Sequence, residues 1–252
     1  MLDRVFAAVG IGAARVDTLL ETDNLRAGER LVGKVVIQGG KVDQKIDALV
    51  LELSSEVIRE VSDNKVRVPH AWARLGISEA MTVKAGETHE MPFDFEVPLA
   101  APLAVGRQQP KTWVATRADI AQALDPRDQD PLRILPSALH EAVFDAMQAL
   151  GFQLLNAPLE ASRRNPQMGC VQEFEFRPQR GGRFSHLDEV EIAFLPSSQG
   201  ALDMLIQRDT KARGLGSLLS EMAGTDEQMY RMSLNGRETS SELEQSLAKV
   251  LA

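Results

Sequence analysis

Hydrophobic and polar residues alternate along much of the first half of the chain, which is the pattern of β-strands with one buried face. Near the middle of that half, Phe93, Phe95 and Val97 fall on one side and Asp94 and Glu96 on the other. Runs of this kind, separated by turn residues, predict about seven strands before residue 136, a density typical of a β-sandwich. The predicted strands cover residues 15–21, 31–38, 45–60, 66–77, 91–97, 112–121 and 132–135.

Glycine, proline and aspartate mark the turns between these runs. Gly39-Gly40 ends the second strand, and Asp63-Asn64 closes a hairpin whose returning strand carries Trp72, a predicted core residue. The segment DPRDQDP, residues 125–131, combines two prolines with three aspartates. These residue types favour turns, so we predict a turn here before the last strand.

Helical spacing replaces alternation after Pro136. Ser137 is a candidate helix N-cap, and Gly151 is suited to end the helix. The change of pattern predicts a domain boundary, with a β-sandwich over residues 1–136 and a second β-rich domain with helices over residues 137–252. The apolar face of the predicted helix consists of Leu139, Val143, Met147 and Leu150.

The rest of the second half is predicted to mix strands, loops and helices. Residues 159–169 are polar and contain arginine, and we predict an exposed loop there. A C-terminal helix has two alternative capping boxes, Thr239 with Glu242 or Ser241 with Glu244. Strands are predicted over residues 171–177, 190–195, 201–209 and 229–234, and a further helix over residues 214–222.

Sequence blocks spread over nearly the whole chain carry a family resemblance. They are residues 10–18, 27–29, 33–42, 125–130, 171–176, 187–189 and 212–216. The order of the predicted strands resembles the N-terminal domain of the arrestin-like β-sandwiches, and the residues in these blocks resemble the bacterial sporulation-control branch of that clan. The resemblance implies a mainly β fold, with arrestin-like antiparallel β-sandwich domains and a few short helices. It also implies a non-catalytic regulatory or scaffold protein.

Composition narrows the classes of function. A net charge of −8 does not favour a nucleic-acid binder, which would concentrate lysine and arginine on one face. Cys170 is the single cysteine, so no intramolecular disulfide forms. There is no export signal and no apolar run of about 18 residues, so we expect a cytoplasmic protein without integral membrane association.

Residues suited to catalysis or metal binding are scattered along the sequence. Asp125, Asp128 and Asp130 offer oxygen ligands to a hard cation, but their spacing is not that of an EF-hand and Arg127 competes for the carboxylates. Whether this segment binds a cation is left open. The four histidines, including His140, lie far apart and are interpreted as surface residues. We therefore expect no catalytic residue, no metal, no cofactor and no enzymatic activity.

The start of the chain is predicted to form a short amphipathic helix. Leu2, Val5, Phe6 and Val9 recur at helical spacing and form one apolar face. Arg4 is the helix's only cation, so packing on the sandwich or on a partner subunit is favoured over a membrane-surface anchor. Peripheral membrane contact through residues 1–9 is the alternative.

Two further features predict protein interaction. Residues 15–21 and 171–176 contain no internal proline or lysine, so we predict that they are open edge strands. Edge pairing, anchored by the N-terminal helix, predicts a two-fold homodimer. Arg208, Lys211 and Arg213 place three cations at a predicted strand-to-helix junction, where an acidic partner could dock. The alternative for these cations is an ordinary solvated turn.

The sequence therefore predicts a cytoplasmic regulatory or scaffold protein that binds other proteins. The alternative is a small-ligand or lipid-binding β-sandwich, which would need an apolar cavity between the sheets. A metal-dependent enzyme would need carboxylates or histidines that converge in a cleft. A solid core at Trp72, Phe93, Phe95 and Trp113 would count against the ligand carrier.

Overall fold

The computed structural model describes residues 13–62, 64–107, 109–120, 127–162, 167–197, 201–209 and 229–252. The part of the chain within these ranges is mainly β, with a few short elements of helix, as predicted. The strands are β1 (Arg15–Leu20), β2 (Asn24–Arg26), β3 (Arg30–Gln38), β4 (Gln44–Val61), β5 (Asn64–Ser78), β6 (Met81–Val83), β7 (Thr88–Glu96), β8 (Thr112–Ile120), β9 (Arg127–Leu135), β10 (Phe152–Asn156), β11 (Leu159–Ala161), β12 (Cys170–Pro178), β13 (Glu189–Leu195), β14 (Leu202–Asp209) and β15 (Met229–Leu234). The helices are α1 (Ala138–Ala149) and α2 (Ser240–Leu251).

A three-stranded antiparallel sheet is formed by β1, β3 and β7, with β3 in the middle. Leu31, Val35 and Ile37 of β3 are fully buried, so this row of side chains faces the core. Because side chains alternate along a strand, the intervening row faces away from the core. Phe93 of β7 is buried on the core side, which confirms the alternation predicted for this strand.

The larger sheet has the order β15–β14–β13–β12–β11–β4–β8–β9–β2, and β5 and β6 pair with β4 while β10 pairs with β12. β4 is 18 residues long and is the long strand that the sequence predicts. It pairs with β5 through the predicted hairpin and with β8 on its other side. Trp72 of β5 is buried and donates its indole N–H to Ser55 Oγ at 3.0 Å, which confirms it as a core residue.

β11 carries the larger sheet from the first half of the chain into the second. It pairs with β12 in antiparallel fashion and meets β4 in parallel at Glu160 and Ile58. Next to it, the buried side chain of Gln172 accepts a hydrogen bond from Leu103 N–H at 2.6 Å and donates one to the Leu103 carbonyl at 2.9 Å. The domain boundary near Ser137 stays a prediction, and these contacts show how the two halves meet.

Both helices begin where their capping residues predict. Ser137 is the N-cap of α1, and Gly151 follows its C-cap with a positive φ of 87°, a conformation that glycine adopts without strain. Thr239 and Glu242 form the capping box of α2, so the first of the two predicted boxes is the one used. The helices pack against each other and add their apolar faces to the core of the second half.

Two loops predicted from composition are strands in the structure. Residues 127–130 lie in β9 and pair with β8, so the predicted turn is wrong for them. Asp125 and Pro126 lie outside the described residues. Pro131 is tolerated because β2 pairs with β9 only beyond it, at residues 133–135. The predicted loop over residues 159–169 is likewise wrong at its start, where β11 pairs with strands on both sides.

β12 is an interior strand, so the prediction of an open edge over residues 171–176 is wrong. It pairs with β13 on one side and with β10 and β11 on the other. The absence of proline and lysine that suggested an open edge also suits a strand bonded on both sides. Of the two predicted edges, only β1 lies at the end of a sheet.

Candidate protein-interaction surfaces

Most of the residues predicted to bind a partner lie outside the described part of the chain. Leu2, Val5, Phe6 and Val9, with Lys211 and Arg213, are among these, and their roles stay predictions. Arg208 is described, on β14. Its Nη2 donates a hydrogen bond to Tyr230 Oη at 3.1 Å, and its guanidinium carbon lies 5.4 Å from the Tyr230 ring centroid. The tyrosine thus orients the Arg208 cation on the sheet.

Side chains of the larger sheet accept hydrogen bonds from the backbone at the open edge of β1. Thr18 N–H donates to Asp128 Oδ2 at 2.6 Å, and Ala14 N–H, just before the strand, donates to Gln44 Oε1 at 2.6 Å. The hydroxyls of Thr18 and Thr116 are also hydrogen-bonded, at 2.5 Å. An added strand would need these same backbone donors. The predicted open edge is therefore partly blocked, by residues too distant in sequence to be recognised beforehand.

Asp128 of β9 forms part of this block, and Asp130 lies two residues further along the same strand. Asp128 and Asp130 lie on the same face of the strand, and Asp128 is engaged by Thr18. Burial raises the pKa of Asp130 to about 6, helped by the negative charge and hydrogen bond of Asp128 and by the charge of Asp17. Protonation of Asp130 removes part of the repulsion between the two carboxyl groups.

An open trough crosses the outer face of the three-stranded sheet. Its volume is about 590 Å³, within the range of about 300–1,000 Å³ typical of ligand sites. Two rows of outward-facing side chains form its walls, and the backbone of the row between them forms its floor. We call this the trough; it is lined by Leu19, Leu20, Glu21, Val32, Gly33, Lys34, Pro92, Phe93 and Asp94.

Gly33 contributes backbone to the floor of the trough and belongs to the row of β3 that faces the core. A Cβ at this position would lie 2.5 Å from the Leu19 carbonyl oxygen and 2.7 Å from the Phe93 ring, which covers the glycine from the core side. Both distances are shorter than van der Waals contact, so any side chain here would push β1 or Phe93 away. The close approach of the three strands at this point therefore depends on glycine.

The walls of the trough combine apolar surface with fixed charges. Leu19 is 45% exposed, although it is a large hydrophobic residue. Lys34 pairs with Glu90 at 2.9 Å and Asp94 pairs with Arg30 at 2.5 Å, so ion pairs hold both side chains at the rim.

A second exposed apolar surface lies at the end of the β4–β5 hairpin. β8 stops pairing with β4 at Ser55, while β4 and β5 continue together to Val61. Val61 and Val66 are 50% and 38% exposed, and Arg59 lies opposite Val66 in the register, on the same face. We call Arg59, Val61 and Val66 the hairpin tip.

His140 corrects the expectation that the histidines lie on the surface. It is fully buried on α1, with its ring 4.5 Å from the ring of Phe194. Its Nδ1 accepts hydrogen bonds from the Ser137 backbone N–H and hydroxyl, at 3.2 and 2.7 Å. Burial lowers the pKa of His140 to about 4, and a hydrogen bond to the Leu99 backbone opposes this shift. The side chain is neutral and packs against Phe194 of β13.

Buried acidic residues gather where β11, β12 and β13 lie side by side. Burial raises the pKa of Glu173 to about 9, and the charges of Glu160, Glu191 and Glu175 raise it further. Lys65 from the hairpin pairs with Glu160 at 3.3 Å and counters part of this charge. At neutral pH Glu173 is therefore protonated and carries no charge.

The described residues thus define a mainly β protein with a surface trough and a protruding hairpin. Among them, no group of three or more histidine, cysteine, aspartate or glutamate side chains is arranged to hold a metal ion. Neither described helix is long and apolar enough to cross a membrane.

Comparison with known proteins places the chain in a family. The sequence model of the family described as SpoOM protein matches residues 2–212, and the chain belongs to this family. It is 36% identical over 254 residues to the sporulation-control protein spo0M of Bacillus subtilis, covering 98% of this chain and 96% of that protein. The crystal structure of Spo0M from Bacillus subtilis superposes with a TM-score of 0.81 at 32% identity, covering 96% of this chain and 98% of that one. The resemblance seen in the sequence is therefore confirmed.

Proposed function

We propose that this protein is a cytoplasmic regulator that acts by binding other proteins, without catalysis, and that the trough is its binding site. The relative in Bacillus subtilis is named as a sporulation-control protein, which supports a regulatory role. Arrestin-like sandwich domains of this kind would supply a rigid support for such a surface.

The single observation that carries the proposal is the exposed apolar surface of the walls of the trough. Leu19, Val32 and Pro92 present apolar surface between ion pairs that hold the rim. Apolar surface rimmed by charge is typical of protein-interaction sites, where a partner side chain fills a pocket while polar groups exclude wrong partners. A partner segment with one or two aliphatic side chains would fill the trough.

Support also comes from how the sheet is built. Gly33 brings β1 and β3 close to Phe93, so the trough lies on backbone held by hydrogen bonds on both sides of β3. A preformed site on a rigid sheet loses little conformational entropy when a partner binds. The remaining candidates, the N-terminal residues 1–9 and the cations Lys211 and Arg213, would extend this surface or form separate ones.

A capture experiment with matched variants tests the proposal. Immobilised wild-type protein, Leu19→Arg and Thr88→Arg are exposed to extract from source cells. Thr88 is exposed on β7 opposite Gln38, at the far end of the same sheet, so its replacement controls for an added charge. We expect proteins that wild type and Thr88→Arg retain and that Leu19→Arg retains at least about tenfold less.

Two outcomes contradict the proposal. If all three proteins retain the same set of partners, the trough is not the binding site. If none retains a protein while an apolar fluorescent probe binds wild type and not Leu19→Arg, the trough takes a small apolar ligand, which is the alternative function.

A further inference from the structure

We infer that the trough of one molecule receives the hairpin tip of a second copy of this chain. The inference rests on the proposed function, in that it takes the trough as a binding site and names an occupant for it. It differs from the edge-paired dimer predicted from sequence, because side chains of the opposite sheet occupy the backbone donors of β1.

The apolar parts of the two surfaces are complementary. Among the described residues, the large hydrophobic side chains left exposed are Leu19 in the trough and Val61 and Val66 on the hairpin tip. Each exposes apolar surface that a contact between them would remove from water. One surface is concave and the other protrudes, as in a pocket and the anchor that fills it.

The charges of the two surfaces are also complementary. Glu21 lines the trough, is exposed, and makes no ion pair with another described residue. Arg59 on the hairpin tip is exposed and likewise has no ion-pair partner in the described part of the chain. The remaining charged residues of the trough, Lys34 and Asp94, are already paired with neighbours. A docked tip would therefore pair the anion of one copy with the cation of the other.

The dimensions of the two elements agree. Neighbouring strands are about 4.8 Å apart, so the three strands under the trough span roughly 10 Å, and a two-stranded ribbon is about half as wide. β8 stops pairing with β4 at Ser55, and β11 meets β4 at Ile58, so the hairpin continues as such a ribbon over its last residues, 59–61 and 64–66. These residues, which include the hairpin tip, extend past the strands paired with β4.

Self-docking has a regulatory consequence for the proposed binding site. A trough filled by a second copy is closed to a partner protein, so partner binding and self-association compete by mass action. A rise in partner concentration would release the hairpin tip, and a rise in the concentration of this chain would protect the trough.

Charge reversal in two separate variants tests the inference. Glu21→Arg sets like charges against each other at the contact, and so does Arg59→Glu. We expect each variant alone to self-associate at least about tenfold more weakly than wild type by sedimentation velocity. A mixture of the two restores the contact in both directions, because the reversed trough of one meets the reversed tip of the other. Glu79→Arg and Arg107→Glu, exposed sites outside both surfaces, are the matched controls and should behave as wild type.

Disulfide crosslinking tests the same contact without changing the charge of either surface. Under oxidising conditions, Leu19→Cys mixed with Val61→Cys should give the mixed disulfide in preference to either homodimer. Cys170 is buried and does not compete.

Two results overturn the inference. One is wild-type protein that stays monomeric at high micromolar concentration, and the other is a mixture that associates no better than its components. Either result leaves the proposed function standing if Leu19→Arg still loses its captured partners. If the capture is also unchanged, both fail.

Discussion

Several carboxyl groups of this protein are held in surroundings that oppose their ionisation. Asp130 lies on β9 beside Asp128, and Glu173 lies among Glu160, Glu175 and Glu191. Burial is the largest cause of the raised pKa in each case, and neighbouring negative charge is the next. Since ionisation of either group costs more in the folded state than in the unfolded one, both make stability fall as pH rises.

Asp130→Asn should remove one part of this pH dependence. The pKa of Asp130 is raised from 3.8 to about 6 in the folded protein, so the wild type loses stability between these two pH values. Asparagine keeps a hydrogen-bond donor for Asp128 and carries no charge. We expect the variant to be more stable at pH 7 by about 1 kcal/mol, because solvent screens the partly exposed carboxyl. Urea unfolding at pH 4.5 and pH 7 measures the difference in unfolding free energy between the variant and wild type. The same difference at both pH values would contradict the prediction.

Glu173→Gln should change the stability more than Asp130→Asn does, and over a wider range of pH. The pKa of Glu173 is raised from 4.5 to about 9 in the folded protein. Between these pH values the carboxyl ionises in the unfolded chain and stays protonated in the folded protein, so the folded protein loses stability as the pH rises. The neutral amide avoids this penalty, and we expect a gain of about 1–3 kcal/mol at pH 8. Glu60→Gln, on the exposed end of β4, is the control and should be close to neutral. A destabilised Glu173→Gln protein at pH 8 would show that the carboxyl is ionised.

At the scale of single elements, glycine at one position of β3 determines how closely β1 approaches. Gly33→Ala would place a methyl group against the Leu19 carbonyl and the Phe93 ring. Since the backbone atom cannot turn aside, β1 or Phe93 must shift, and we expect a loss of about 1–3 kcal/mol. Hydrogen exchange of β1 should become faster in this variant. Gly76→Ala is the matched control, because a Cβ there meets no atom within 4 Å. Equal effects of the two substitutions would contradict the account.

Elements with a clear local signal could be predicted from the sequence, and those defined by pairing could not. The strand predicted over residues 15–21 and the helix predicted from the cap at Ser137 match β1 and α1 almost to the residue. β2 and β11 are three residues long, too short for any periodicity. The segment around Asp128 has turn composition and becomes a strand because β8 pairs with it.

The candidate site shows the same limit. Leu19 and Val32 have ordinary strand patterns, and the trough that they line exists only because β1, β3 and β7 come together in one register. His140 has no sequence signal for burial, since its partners Leu99 and Phe194 lie on other elements. The residues predicted from sequence to bind partners were instead those with an evident charge or an amphipathic spacing.

At the scale of the whole molecule, the two halves are predicted to be separate folding units that meet through specific polar contacts. Gln172 bonds to the backbone of Leu103, and His70 Nε2 lies 2.7 Å from the Met168 carbonyl oxygen. We expect a fragment of residues 1–136 to be soluble, with a β-type circular dichroism spectrum. An unfolded fragment beside a stable full-length chain would show that the halves share one core.

The central claim is that the trough contacts another protein chain. A photo-crosslinking amino acid in place of Leu19, with the same residue in place of Thr88 as control, tests it in the source cells. The account predicts protein adducts from position 19, identified by mass as a partner or a second copy, and few from position 88. No adduct from position 19, or the same adducts from both positions, would contradict it.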